Sequence, residues 1–229
     1  MELRHWKKGA DRYSEASEHY DEAYFLDQSR HGAIRAQINS EKFVNYCVDR
    51  EKILDFGCGD GALLSELGGS YGVEISSHAI DFARKKGHIV ENNLNAFEDD
   101  FFDLIISNHC IEHVENPLGE IRKMRQKIKS DGLLVIVVPC HAASLKFRKN
   151  DRDFHLFSWS AANLGNMVSL AGFDVVDAHE LVHRWPPKWK QIRKYFGRRV
   201  FDISCRIWGR IDRSSSQVIC IARPETSTE

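Results

Sequence analysis

Short apolar runs alternate along the chain with longer segments whose apolar residues recur at helical spacing. The runs Lys52–Asp55, Ser70–Glu74, His88–Glu91, Phe102–Ser107, Leu133–Val138, Phe173–Ala178 and Gln217–Ala222 are predicted as strands. Leu133–Val138 is apolar throughout, as strands buried on both faces of a parallel sheet are. Helices are predicted over Gly32–Val48, Ala62–Leu67, Ser77–Lys86, Asn116–Lys129 and Ala161–Ala171. Pro117 stands in the first turn of one and Gly172 follows the end of another, both favoured places. Strand and helix in alternation imply an α/β protein, a doubly wound and mostly parallel sheet with right-handed crossovers.

Two stretches break the alternation. Residues 1–50 begin with a polar segment carrying Trp6, Tyr13, Tyr20, Tyr24 and Phe25 as scattered anchors, and are expected to form an N-terminal helical cap or lid. Residues 51–229 form the main domain. Within it, 181–216 is an oversized, basic helical insertion before the last strand. Its cations are Arg193, Lys194, Arg198, Arg199, Arg206, Arg210 and Arg213, interleaved with Ile192, Phe196, Val200, Phe201, Ile203, Ile207, Trp208 and Ile211.

A chain of 229 residues can enclose one substantial core. Its net charge of −1 gives no global pull toward nucleic acid, so no such partner is expected. The six cysteines form no C-x-x-C pair and sit mostly in apolar runs, the usage of a reduced, cytoplasmic protein without a zinc site. The N-terminus lacks the apolar core of a signal peptide, and no run is long enough to span a bilayer.

The chemistry concentrates at two strand ends. Asp55-Phe56-Gly57-Cys58-Gly59-Asp60-Gly61 leads from a strand through a glycine-rich turn into a helix. Glycine supplies positive φ and lets a ligand approach the backbone, and the helix N-terminus turns free N–H groups toward it. The Asp55 carboxylate is expected to organise the turn by accepting backbone N–H bonds. Glu74, at the next strand end, stands where a doubly wound sheet grips ribose hydroxyls. Gly57, Gly59 and Ala62 also fit a dinucleotide fingerprint, so a NAD(P)-dependent oxidoreductase stays open, as does a non-catalytic cofactor-binding module. The second cluster is Asn108-His109-Cys110-Ile111-Glu112-His113, after Phe102–Ser107. One helical turn there would put His109, Glu112 and His113 on one face.

The glycine turn, Glu74 and the Phe102–Asn108 strand together resemble class I S-adenosylmethionine-dependent methyltransferases, over about Glu51 to Asp177. The resemblance implies a seven-stranded Rossmann-like sheet with an antiparallel last strand, and S-adenosylmethionine as cofactor with S-adenosylhomocysteine as product. It further implies that Gly57, Cys58 and Gly59 meet the methionine moiety and Glu74 the ribose. Ile75, Asn93 and Leu94 would flank the adenine, with Ser107 and Asn108 beside the methyl group. A basic residue of the leading helix, Arg30 or Arg35, would meet the methionine carboxylate. The His109–His113 segment resembles that of ubiquinone-pathway O-methyltransferases and polysaccharide-cluster methyltransferases. A related segment in small-RNA 3′-end methyltransferases holds a divalent metal with two glutamates and histidines, and His109 replaces the first of those glutamates. His109, Glu112, His113 and His155 are therefore the catalytic candidates, with His141 an alternative to His155. A histidine general base ranks ahead of a metal. The expected reaction is O-methylation of a small-molecule or glycan acceptor, in the style of bacterial glycan modification. The basic insertion has three readings: a solvated helix, a lid over the acceptor, or peripheral contact with an anionic membrane surface through 188–213.

Overall fold

The computed structural model describes residues 32–142, 144–149 and 154–225. The strands are β1 (Ile53–Phe56), β2 (Tyr71–Val73), β3 (Ile89–Glu91), β4 (Phe102–Asn108), β5 (Ile128–His141), β6 (Phe173–Leu181) and β7 (Ser215–Pro224). They form one sheet in the order β3-β2-β1-β4-β5-β7-β6. Neighbours from β3 to β5 are parallel, and β7 runs antiparallel to both β5 and β6. The order reverses between β1 and β4, so the crevice of a doubly wound sheet opens at their carboxyl ends.

The apolar strands serve two faces at once. Leu134, Ile136 and Val138 of β5 join one core cluster, and Leu133, Val135 and Val137 join another. In β4, Ile105 goes to the first face, and Leu104 and Ile106 to the second. Period-two alternation thus survives within an apolar run because both faces are covered by helices or connecting segments.

The helices are α1 over 32–40, α2 (Ala62–Leu67), α3 (Ser77–Lys85), α4 (Pro117–Lys127), α5 (Ala161–Leu170) and α6 (Trp189–Ile211). Asn116 caps α4 by accepting the Gly119 N–H at 3.0 Å, with Pro117 next to it. Ser160 and Asn163 form a reciprocal capping box on α5.

Two elements differ from expectation. The helix expected over Gly32–Val48 stops at residue 40 and gives way to turns and a 3₁₀ segment at Val44–Tyr46. The bend carries Phe43 into the core with Ile53, Leu104 and Val135, a burial a continued helix would forgo. The strand expected at Leu133–Val138 extends to Ile128–His141, taking in Lys129 and the Asp131-Gly132 turn. Ile128 pairs with Phe102, and a register shift before Leu104↔Leu133 absorbs the extra residues. The cap expected in residues 1–31, Arg30 included, lies outside the described residues.

Candidate active site

β1 ends in a turn that is left-handed at Gly57, Gly59 and Gly61, with φ of 83°, 55° and 75°. A side chain at Gly57 would put its Cβ 2.4 Å from Cys110 Sγ, so the glycine lets the loop after β4 rest on this turn. That contact joins the two sequence clusters into one site.

Glu74 accepts N–H bonds from Gly59 at 2.9 Å, Ile75 at 2.8 Å and Ser76 at 3.0 Å. Burial raises its pKa, and the bonds from Ser76, Gly59 and Ile75 oppose the rise. It therefore organises the turn, the part expected of Asp55. Asp55 is 2% exposed, and its Oδ1 has no hydrogen-bond partner. Burial, with the nearby Glu74 charge, pushes its pKa up to about 7. Of the turn's backbone donors, Gly59 goes to Glu74, Gly57 and Cys58 go to the Val73 carbonyl, and Gly61 goes to the Cys58 carbonyl. The N–H groups expected from α2 are also partly engaged, since Asp60 accepts the Ala62 N–H at 3.1 Å. Two buried carboxylates, one with an orphan oxygen, suit a cationic ligand such as an ammonium or a sulfonium.

The loop after β4 starts with His109 in the left-handed region, φ 55°, and continues as a 3₁₀ turn, Ile111–His113. Glu112 has no exposed surface. Three imidazole nitrogens surround its Oε1: His109 Nδ1 at 3.4 Å, His113 Nε2 at 3.9 Å and His155 Nε2 at 4.0 Å. None has hydrogen-bond geometry, and both Glu112 oxygens are left without such a partner. Burial alone would raise the Glu112 pKa; His109 and His113 outweigh it and hold the carboxyl below its usual range. His155 comes from the segment after β5, and its Nδ1 lies 2.8 Å from His141 Nε2. His109 Nε2 lies 3.2 Å from Gln217 Oε1 on β7. The structure thus gathers all four catalytic candidates, with His141 beside them. Glu112, His113 and His155 each offer a ligand atom within 4.8 Å of the others, a possible metal-holding set.

The remaining expected residues divide. Ile75 is 48% exposed beyond β2 and free to flank a ligand. Asn93 turns inward on its own loop, accepting the Asn95 N–H at 2.9 Å and donating to Asn92 at 2.6 Å. The Leu94 side chain is fully buried in the main core, which leaves only its backbone to flank an adenine. The Ser107 hydroxyl is fully buried and donates to the Phe56 carbonyl at 3.2 Å, tying β4 to β1. Asn108 Oδ1 accepts from Lys42 Nζ at 3.1 Å.

Arg35 is half-buried on α1, and Lys42, just beyond that helix, reaches Asn108 at the site edge. Burial lowers its pKa to about 7, against the pull of Glu112. Sequence reasoning missed Lys42, the single lysine of the Gly32–Val48 stretch, because its reach to Asn108, 66 positions on, is set by the fold. It missed Gln217 because that residue is 108 positions from His109 and arrives through β7.

A methyltransferase-domain family model matches residues 27–178. A ubiquinone biosynthesis O-methyltransferase of Glaesserella parasuis is 32% identical over 106 residues, 38% of this chain and 44% of the relative. The match thus spans under half the length of that relative. Among solved structures, an S-adenosylmethionine-dependent methyltransferase from Archaeoglobus fulgidus superposes with a TM-score of 0.64 at 21% identity, over 87% of this chain and 99% of its own. A Haemonchus contortus phosphoethanolamine N-methyltransferase in complex with S-adenosylmethionine gives 0.59 at 15% identity, over 82% of this chain and 52% of its own. At such identities the structural likeness carries the fold alone.

Proposed function

The chain belongs to the class I S-adenosylmethionine-dependent methyltransferase family, and on that premise we propose that it methylates an oxygen of a small-molecule or glycan acceptor held at the His109–His113 loop. The observation that carries this reading is the packing of Cys110 against Gly57, which sets a histidine–glutamate cluster beside the glycine turn. Bound S-adenosylmethionine supplies an electrophilic methyl group on a cationic sulfur.

The chain's own residues would do the rest by position and charge. Glu74 provides buried negative charge under the turn, Asp55 adds to it once it ionises above its pKa of about 7, and the open glycine backbone admits the ligand. His109 has Glu112 on its Nδ1 side, which favours the tautomer with the proton there and leaves Nε2 basic. In that tautomer the Gln217 amide turns its NH₂ toward Nε2. Displacing Gln217 frees Nε2 to take the acceptor hydroxyl proton as the oxygen attacks the methyl carbon, and the buried Glu112 balances the resulting imidazolium. In-line placement of acceptor and donor supplies much of the remaining acceleration.

A specific observation favours a second reading. Both Glu112 oxygens lack hydrogen bonds, and the cluster can hold a cation through Glu112, His113 and His155. Such an ion would activate the acceptor hydroxyl as a Lewis acid. The two readings separate cleanly. In the base reading, His109→Ala lowers kcat about 10²-fold or more with S-adenosylhomocysteine affinity unchanged, and chelators have no effect. In the metal reading, Mn²⁺ or Zn²⁺ raises the melting temperature of the wild type but not of Glu112→Gln. Binding of NAD and none of S-adenosylhomocysteine in calorimetry would remove both.

A further inference from the structure

α6 faces two ways. Phe201 and Cys205, 1% and 0% exposed, pack with Ile38 of α1 and with Trp185 and Trp189. Arg198 pairs with Glu41 at 2.7 Å and fixes the helix to the same segment. Gly197, at φ 75° and ψ −178°, breaks the helix, so the portion after it has its own orientation. On that portion Val200, Ile203, Ile207 and Ile211 follow at spacings of three and four, forming one stripe. They are 45%, 59%, 53% and 68% exposed, so the stripe points away from the protein. A helix that merely covers a sheet edge keeps its apolar side inward and its polar side outward. Here an apolar stripe remains outside after the inward side is satisfied.

The charge beside the stripe is of one sign. α6 carries seven Lys and Arg residues and one acid, Asp202, in a chain whose total is −1. Arg199, Arg206 and Arg210 lie along one border of the stripe at helical spacing, all exposed. Arg199 and Arg206 make no ion pair among the described residues, in contrast to Arg198. A two-fold contact of α6 with its copy would bring these arginine rows together, an unfavourable arrangement. A straight apolar ridge bordered by arginines instead matches the boundary between lipid chains and anionic headgroups.

The position fits as well. β5 and β6 both run antiparallel to β7, so they end at the same sheet edge as each other. β4, which leads into the histidine loop, ends there too, since it is parallel to β5. α6 follows β6, and the segment after β5 exposes Leu145 at 56% and Phe147 at 92%, next to Lys146 and Arg148. We infer that α6 seats the protein on an anionic lipid bilayer surface, with the candidate site at the sheet edge nearest that surface. No described helix is long and apolar enough to cross a membrane, so the contact is peripheral. The inference stands on the helix and does not depend on the acceptor proposed above.

The test is co-sedimentation of the full chain with phosphatidylcholine vesicles, with and without phosphatidylglycerol at about one part in three, at low and high salt. The expected result is binding only to the anionic vesicles, weakened about tenfold or more by salt. Ile203→Ser/Ile207→Ser and Arg199→Glu/Arg206→Glu should each weaken it about tenfold or more, with thermal melting and S-adenosylhomocysteine affinity unchanged. These sites are exposed, so the variants keep the core intact. No binding of the wild type to anionic vesicles at low salt overturns the inference. So does equal binding of wild type and variants. A wild-type dimer that the same substitutions dissociate, with no lipid binding, would assign the stripe to a second copy instead.

Discussion

Replacing Asp55 by Asn should make the free protein less sensitive to alkaline pH while weakening its hold on the cofactor. Asp55 is nearly inaccessible, its Oδ1 has no partner, and its pKa stands at about 7 against an ordinary 3.8. Between those values the folded chain keeps a proton that the unfolded chain has released. Stability therefore falls as pH rises through this window, reaching its full loss above 7. A single group with these two values removes about 2–3 kcal/mol of stability between pH 5 and pH 8. Asn has nearly the same volume and no charge, so the variant lacks that pH-dependent loss. Its amide brings a buried donor of its own, which costs about 1–3 kcal/mol at every pH if unpaired. The diagnostic quantity is thus the slope with pH and not the stability at one pH. Urea unfolding of wild type and Asp55→Asn at pH 5 and pH 8 measures it, with S-adenosylhomocysteine calorimetry alongside. The wild type should lose about 2–3 kcal/mol more than the variant across that interval, and the variant should bind ligand at least about tenfold more weakly. Parallel pH dependence in the two proteins would refute the argument. It would show that Asp55 is ionised in the folded chain at low pH, held by a partner the geometry does not contain.

Gly57→Ala should destabilise the protein by about 1–3 kcal/mol, because its Cβ would meet Cys110 Sγ at 2.4 Å and its φ is +83°. Combining it with Cys110→Gly should restore part of the loss in thermal melts, and no recovery would show that φ strain alone is responsible. Lys42→Met should remove a rise in stability between pH 7 and 10.5. In that window the unfolded chain carries a proton that the folded Lys42 has shed; denaturant titrations across the window measure this. Glu74→Gln should lower S-adenosylhomocysteine affinity and also loosen the turn, since three backbone N–H groups lose a charged acceptor. Hydrogen exchange at Gly59, Ile75 and Ser76 distinguishes that loosening from a purely ligand-directed effect.

The fold and the glycine turn were legible in the sequence because both rest on local signals. Apolar runs of strand length, helix stops such as Gly172, and glycines before α2 act over a few residues, and steric rules leave them little choice. The spacing of His109, Glu112 and His113 likewise pointed to one face, and the 3₁₀ turn places Glu112 near both histidines. The tertiary structure decided what depends on partners distant in the chain. Asp55 looked like the organiser of its own turn, yet Glu74 takes the Gly59 N–H because β2 lies beside β1. Leu94 looked like a ligand-flanking residue, and the covering of the sheet drew it into the core. Phe43 ended a helix that periodicity would have continued, since burial in a packed interior outweighs helix propensity. The approach of His155 to Glu112, with His141 against His155, and of Gln217 to His109 comes from β5 and β7 meeting in space. A one-dimensional pattern records which faces are apolar. It does not record which side chains the sheet order brings within reach of one buried carboxylate.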